Sequence, residues 1–349
     1  MKTYTIRGAG GDSQILVGAT LEALPGLISG KQAVVVTDTT VSRLFGHLFP
    51  CPDIIEIGTG EGIKTLETVE QLYEALMARQ MDREGFVVGI GGGIVCDITG
   101  FAASTYLRGV DFGFVPTTLL AQVDAAMGGK NGVNFGGYKN MVGCFRQPQF
   151  VISNVAFLKT LPPAALACGF AEIIKHALIS SHQMFAYLEN HCREAMSLDA
   201  ALLQRLVWDS VTIKGGIVNR DEKESDERRK LNFGHTFGHA IEAVTGVPHG
   251  HAVSVGMMIA AQISVDREML PRRDVQRLFR LLEAMDLPTS ISVSPERVAN
   301  ALLRDKKRAD RDIRVVLLEG IGRAVIQPMD IDALVQGLPA TLKLLKSYG

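Results

Sequence analysis

The sequence predicts two domains of different class: an α/β half built on a mostly parallel sheet, then a mostly α-helical half. Three observations carry this. Short β-branched runs alternate with helix-spaced segments up to about residue 160, a glycine-rich loop joins one such run to the next helix, and a Pro162-Pro163 pair opens a succession of long helical segments. At 349 residues the chain exceeds one small core, so domains over residues 1–160 and 161–349 are expected.

Taken in order, Ala33-Val34-Val35-Val36, Gly85-Phe86-Val87-Val88-Gly89, Phe112-Gly113-Phe114-Val115 and Phe150-Val151-Ile152 read as buried strands, with a helix over Thr65 to Arg79. Beyond the proline pair, helical spacing runs through Ala164–Ser180, Asp199–Val218, His235–Val244, Gly250–Arg267 and Arg273–Ala284. Arg314 to Ile326, with its Gly320-Ile321-Gly322 turn, predicts a short hairpin. No internal repeat or low-complexity tract is visible.

Composition narrows the function. The net charge is −1 and the basic residues form no stripe, which removes the electrostatic case for nucleic acid or a membrane surface. Five widely spaced cysteines without a C-x-x-C pair suggest reduced thiols. The N-terminus has no apolar signal core, and no later segment approaches a membrane-spanning run. A cytoplasmic protein working on a small molecule is expected.

Gly89-Ile90-Gly91-Gly92-Gly93-Ile94-Val95-Cys96-Asp97 follows a strand and opens a helix, where backbone amides and the helix dipole favour a pyrophosphate. Ile94 occupies the last glycine position of G-x-G-x-x-G, so the loop fits a dinucleotide or an ordinary tight turn. Asp38 can serve an adenosine ribose, and Thr117-Thr118 lie at a strand end where such crevices form; each also suits a helix cap. The first half is thus Rossmann-like.

Four of the eight histidines, His235, His239, His249 and His251, lie in one short stretch. His235 and His239, four apart, share a helix face and either bind a metal or merely decorate a surface; a metal needs a third ligand. The charged clusters Asp221–Lys230 and Asp305–Arg308 read as solvated loops on composition alone.

Read together, Gly91-Gly92-Gly93-Ile94-Val95-Cys96-Asp97, Tyr106-Leu107-Arg108-Gly109, Pro116-Thr117-Thr118-Leu119-Leu120-Ala121-Gln122-Val123-Asp124, Gly128-Gly129-Lys130, Lys139-Asn140-Met141-Val142-Gly143, Gly169-Phe170-Ala171-Glu172-Ile173-Ile174-Lys175 and the histidine stretch resemble the 3-dehydroquinate synthase family of sugar phosphate cyclases, in the same order over most of the chain. The resemblance implies a carbon–oxygen lyase of the shikimate pathway that turns 3-deoxy-D-arabino-heptulosonate 7-phosphate into 3-dehydroquinate and phosphate, using NAD+ catalytically. It implies a metal, Zn2+ with Co2+ as substitute, on Glu172, His235 and His249. For NAD+ it implies Asp38, Glu61, Lys64, Gly91, Gly92, Gly93, Asp97, Thr117, Thr118 and Lys139; Glu61 and Lys64 alone also read as an exposed pair. Lys130, Asn140 and the Lys306-Lys307 pair are implied around the substrate phosphate, joined by Arg108 from a partner subunit of a homodimer. Lys214, Arg228 and Asn232 are implied toward the carboxylate or ring oxygens. His239 is the candidate proton relay, with Asp124 and Lys130 near the ring and Lys175 balancing the charge of Glu172.

Cys96, Asn131, Phe135, Arg146 and His251 depart from the commonest form of that family, and none removes an implied ligand. Two other readings share most of these features: a cyclase of the 2-deoxy-scyllo-inosose or valiolone type, and an NAD- and metal-dependent polyol dehydrogenase.

Overall fold

Val34, Val35 and Val36 are buried because their strand is covered on both faces, as parallel strands are. In the computed structural model, described for residues 1–28, 30–305, 312–346 and 348, they lie in β3 (Ala33–Asp38), preceded by β1 (Lys2–Ile6) and β2 (Ser13–Val17). There follow β4 (Ile54–Ile57), β5 (Phe86–Gly91), β6 (Asp111–Pro116), β7 (Lys130–Phe135), β8 (Tyr138–Phe145) and β9 (Phe150–Ser153). Seven strands form one sheet in the order β1-β2-β9-β6-β5-β3-β4, parallel except for β1, which runs antiparallel to β2 at the edge. The four expected strands are β3, β5, β6 and β9. β1 and β4 escaped sequence reading because they are short and partly exposed; β2 is largely buried, and its apolar run Ile15-Leu16-Val17 was not read. β7 and β8 form a separate hairpin whose Gly136-Gly137 turn has φ of 60° and 81°. A Gly-Gly pair between apolar runs is a hairpin signal the sequence did carry.

Phe86 and Phe150 stack at 5.4 Å in a core shared with Val35, Val88, Ile90, Val115 and Ile152. Each such side chain contributes about 1.5–3 kcal/mol by leaving water. The chain runs from β3 outward to β4 and then returns to β5 on the other side of β3. This reversal opens a crevice at the carboxyl ends of β3 and β5, the place where open parallel sheets take ligands.

Two compact units are present, Met1–Leu161 with Leu203–Lys223, and Pro162–Leu202 with Glu224–Gly349. Leu203–Lys223, expected in the second half, packs with the first: Arg7 N donates to Asn219 Oδ1 at 2.8 Å, Ala9 N to Glu222 Oε2 at 3.0 Å, and Tyr4 meets Trp208 edge-on. The second unit is built from helices Pro163–Ser180, His182–Met196, His235–Thr245, His249–Asp266, Arg272–Ala284, Pro295–Asp305 and Ile331–Leu345, with one antiparallel hairpin, β10 (Asp312–Gly320) and β11 (Arg323–Asp330). Contrary to expectation, helix Pro163–Ser180 is long and apolar enough to cross a membrane by length and composition, yet 78% of it is buried in the structure. Its interior polar residues are those of the site below.

Candidate cofactor crevice and metal centre

In the first unit, helix Gly93–Thr105 begins directly beyond β5, capped by Gly92. A Cβ on Gly91 would fall 2.5 Å from Val95 Cγ2, so the strand-to-helix turn is as tight as the glycines suggest. Asp38 ends β3 across the crevice, and its Oδ1 caps the next helix by accepting from Thr40 N and Val41 N at 2.9 Å. Thr117 N donates to Gly91 O at 2.8 Å, and Thr118 Oγ1 accepts from Ala121 N at 3.2 Å. The cap readings of Asp38 and Thr118 therefore hold, at the carboxyl ends of interior strands.

Lys64 is buried and pairs with Asp97 on the glycine-loop helix, rather than with Glu61. Its Nζ also donates to Asn140 Oδ1, while Asn140 N donates to Asn134 Oδ1 at 2.9 Å and Asn134 Nδ2 to Glu61 Oε1 at 2.8 Å. This chain ties the β7–β8 hairpin to the crevice. Asn140, implied at the substrate phosphate, thus sits beside Lys64; its neighbour Lys139 is exposed. Burial raises the Asp97 carboxyl to about 6 in spite of the Lys64 charge.

Asp124 lies in a wide helical turn, Ala121–Ala125, and pairs with the buried Lys214, whose Nζ also donates to Asp124 O at 2.7 Å. A charge taken from water is retained there because it is both paired and hydrogen-bonded. Lys130 is exposed at the start of β7. Arg108 is exposed in a turn where Leu107, Arg108 and Gly109 all have positive φ.

In the second unit three helices converge. Helix Pro163–Ser180 presents Glu172, Lys175 and His176, all buried. His235 and His249 are the first residues of their helices, His235–Thr245 and His249–Asp266. Gly256 allows those two helices to touch: a Cβ there would fall 2.0 Å from Gly234 O, and Gly234 itself turns with φ 79° into His235. Gly250 does the same against helix Pro163–Ser180, where a Cβ would lie 2.3 Å from Cys168 Cα, one turn before Glu172.

Glu172 Oε1 consequently lies 3.5 Å from His235 Nε2 and 3.6 Å from His249 Nε2, and ligand atoms of all three lie within 4.8 Å of one another. The other ring nitrogens face acceptors, Phe233 O at 3.3 Å from His235 Nδ1 and Glu242 Oε2 at 3.0 Å from His249 Nδ1. Two imidazoles with their Nε2 turned inward and a buried carboxylate suit a divalent cation with open positions. Burial and then the Lys175 charge hold His235 down to about 3. For His249 burial works the same way, but hydrogen bonds and charge from Glu172 and Glu242 outweigh it and push the ring up to about 9.

His239 is exposed, its ring 5.2 Å from that of His235 and 6.0 Å from that of His249. Arg228 is buried, and Asn232 Nδ2 bonds Glu224 Oε1, both within the short turn Glu227–Asn232. His251 is half-buried, which lowers its ring below the usual imidazole range. Lys306 and Lys307 lie outside the described residues. Glu242 was missed from sequence; its signal is a carboxylate seven residues, two helical turns, beyond His235.

Residues 54–168 match the 3-dehydroquinate synthase N-terminal family and residues 169–308 the 3-dehydroquinate synthase C-terminal family. A 3-dehydroquinate synthase of Geobacter metallireducens is 41% identical over 335 residues, covering 92% of this chain and 91% of the relative. The 2-epi-5-epi-valiolone synthase ValA of Streptomyces hygroscopicus subsp. jinggangensis, solved with NAD+ and Zn2+, superposes with a TM-score of 0.88 at 26% identity over 100% of both chains. A 2-deoxy-scyllo-inosose synthase solved with carbaglucose-6-phosphate, NAD+ and Co2+ gives 0.86 at 27%, covering 97% of this chain and 99% of that one. The family matches run without a gap through the glycine loop and the Glu172, His235 and His249 cluster, and with a relative at 41% identity they establish that the chain belongs to the 3-dehydroquinate synthase family.

Proposed function

We infer that this chain is a carbon–oxygen lyase that converts 3-deoxy-D-arabino-heptulosonate 7-phosphate to 3-dehydroquinate and phosphate, a step of aromatic amino acid biosynthesis. The observation that carries it is the convergence of Glu172, His235 and His249 on one point, in a chain of this family. Bound NAD+ supplies a reversible hydride acceptor, and a divalent cation, Zn2+ or Co2+, supplies acidity to a substrate hydroxyl.

The first unit takes the dinucleotide. Gly91, Gly92 and Gly93 admit its pyrophosphate to the helix amides, Asp38 accepts from ribose, and Glu61, Lys64, Asp97, Thr117, Thr118 and Lys139 hold the remainder. The second unit holds the cation on Glu172, His235 and His249, with Lys175 balancing the carboxylate. His239, one helical turn from His235 and open to solvent, accepts the proton from the C5 hydroxyl at an imidazole nitrogen. Lys130 and Asp124 act at the ring. Arg108, Lys130, Asn140 and the Lys306-Lys307 pair bind the phosphate, and Lys214, Arg228 and Asn232 the carboxylate and ring oxygens. Asp124, Lys130, Arg228 and His239 together favour the keto acid phosphate over the sugar phosphates of other cyclases, which lack the carboxylate.

A homodimer is supported by the exposed apolar residues Leu107, Phe135, Tyr138, Met141 and Phe145, four of them on the β7–β8 hairpin. A cytoplasmic setting accords with this pathway and with five free cysteines.

The deciding assay offers the enzyme, with NAD+ and Zn2+, the heptulosonate phosphate, glucose 6-phosphate and sedoheptulose 7-phosphate. Phosphate release from the first alone, without lasting NADH absorbance, is expected. Release only from a sugar phosphate without the carboxylate would move the activity to another cyclase, and accumulating NADH would make the chain a net dehydrogenase.

A further inference from the structure

We propose that Glu242 is a positioning residue that fixes the tautomer and aim of His249 and thereby sets how tightly the cation is held. The proposal rests on the reading of Glu172, His235 and His249 as ligands.

His249 Nε2 faces Glu172 Oε1 at 3.6 Å, while Nδ1 lies 3.0 Å from Glu242 Oε2. A carboxylate accepts and cannot donate, so when the ring gives up one proton to a cation the remaining proton belongs on Nδ1 and the Nε2 lone pair is turned toward the ligand cluster. His235 is held less firmly, its Nδ1 facing only the neutral Phe233 O at 3.3 Å. A charged acceptor at the shorter distance makes the stronger bond and the more basic ligand.

Glu242 acts from both ends. Its carbonyl accepts from Gly246 N at 2.8 Å, closing the helix at a glycine with φ 71° and turning the chain back so that His249 returns beside the Glu242 side chain. Because Glu242 shares a helix with His235, one rigid element both supplies one ligand and orients the other. A shift of that helix would move the two imidazoles together.

The experiment titrates metal-free protein with Co2+, reading the visible ligand-field spectrum and the affinity by chelator competition, for wild type, E242Q, E242A and H249A. An amide oxygen can still accept from Nδ1, so the expected order of affinity is wild type, then E242Q, then E242A, with E242A weaker by about 10–100-fold and its spectrum altered. Thermal melts of the metal-free proteins establish that each variant is folded; if E242A is not, E242Q must still bind Co2+ more weakly than wild type with a shifted spectrum. Wild-type affinity and spectrum in folded E242A, or in E242Q when E242A is unfolded, would overturn the proposal while leaving the ligand assignment standing. Unchanged binding in H249A would instead overturn the ligand assignment, and the role of Glu242 with it.

Discussion

Lys175 forms an ion pair with Glu172 one turn earlier on the same helix, and both side chains are almost wholly withdrawn from solvent, at 1% and 0% exposure. Without a metal, this ammonium compensates the charge of a carboxylate that faces two imidazoles. K175M should therefore destabilise the metal-free protein, but by less than the about 3–5 kcal/mol of a fully stranded buried charge, since Glu172 keeps His249 at 3.6 Å, and excess Zn2+ should recover part of the loss. Denaturant unfolding with and without chelator reads both effects; equal stability of metal-free K175M and wild type would show that the pair is dispensable.

Metal uptake should depend on pH through His249. With that ring pushed up to about 9 and His235 held to about 3, the metal-free site at neutral pH carries one ligand proton, which a cation must displace. Affinity is expected to rise roughly tenfold per pH unit up to about pH 9, with about one proton released. Calorimetry in two buffers of different ionisation enthalpy measures the release directly, and no proton release at pH 7 contradicts the expectation.

Asp97 gives a separate pH signature in the first unit. Its carboxyl titrates near 6 in the fold and near 3.9 in an unfolded chain, so the stability it contributes is full at low pH and is lost as pH rises through 6. The stability of D97N relative to wild type should accordingly improve between pH 4 and pH 7. A constant difference across that range would mean that Asp97 stays ionised throughout.

H239N should separate chemistry from metal binding. His239 is exposed and is not among the three converging ligands. The variant is expected to keep wild-type metal affinity and lose about 10²–10⁴-fold in kcat, the scale of a lost proton-transfer group. E172Q, by contrast, should lose metal and turnover together, and metal loss in H239N would reassign the residue to the ligand set.

G256A tests the helix contact beneath the site. The added methyl would strike the backbone at Gly234 O, 2.0 Å away, and backbone cannot swing aside as a flexible side chain can. A cost of at least about 1–3 kcal/mol with weakened Co2+ binding is expected, and a wild-type melting temperature and affinity would show that the helices tolerate separation.

Much of the fold was readable because burial writes a period into the sequence. The four strands predicted from β-branched runs became β3, β5, β6 and β9, and the helix expected over Thr65 to Arg79 spans Leu66–Ala78. β1 and β4 were not legible because they are short and partly exposed; β2 is largely buried and its run Ile15-Leu16-Val17 was a signal left unread. The helix expected over Asp199–Val218 spans Ala200–Arg220, but nothing local in a helix says which core it joins.

The sequence by itself determined the parallel-sheet class, the glycine turn into helix Gly93–Thr105 and, through spacing, the shared helix face of His235 and His239. Tertiary structure alone decided that Glu172 meets His235 and His249 from another helix, that Lys64 pairs with Asp97 rather than Glu61, and that Glu242 turns toward His249. The physical reason is distance along the chain. Hydrophobic period and turn chemistry are properties of a few neighbouring residues, whereas a ligand set or an ion pair exists only once glycine contacts such as Gly256 against Gly234 and Gly250 against Cys168 bring remote backbones together.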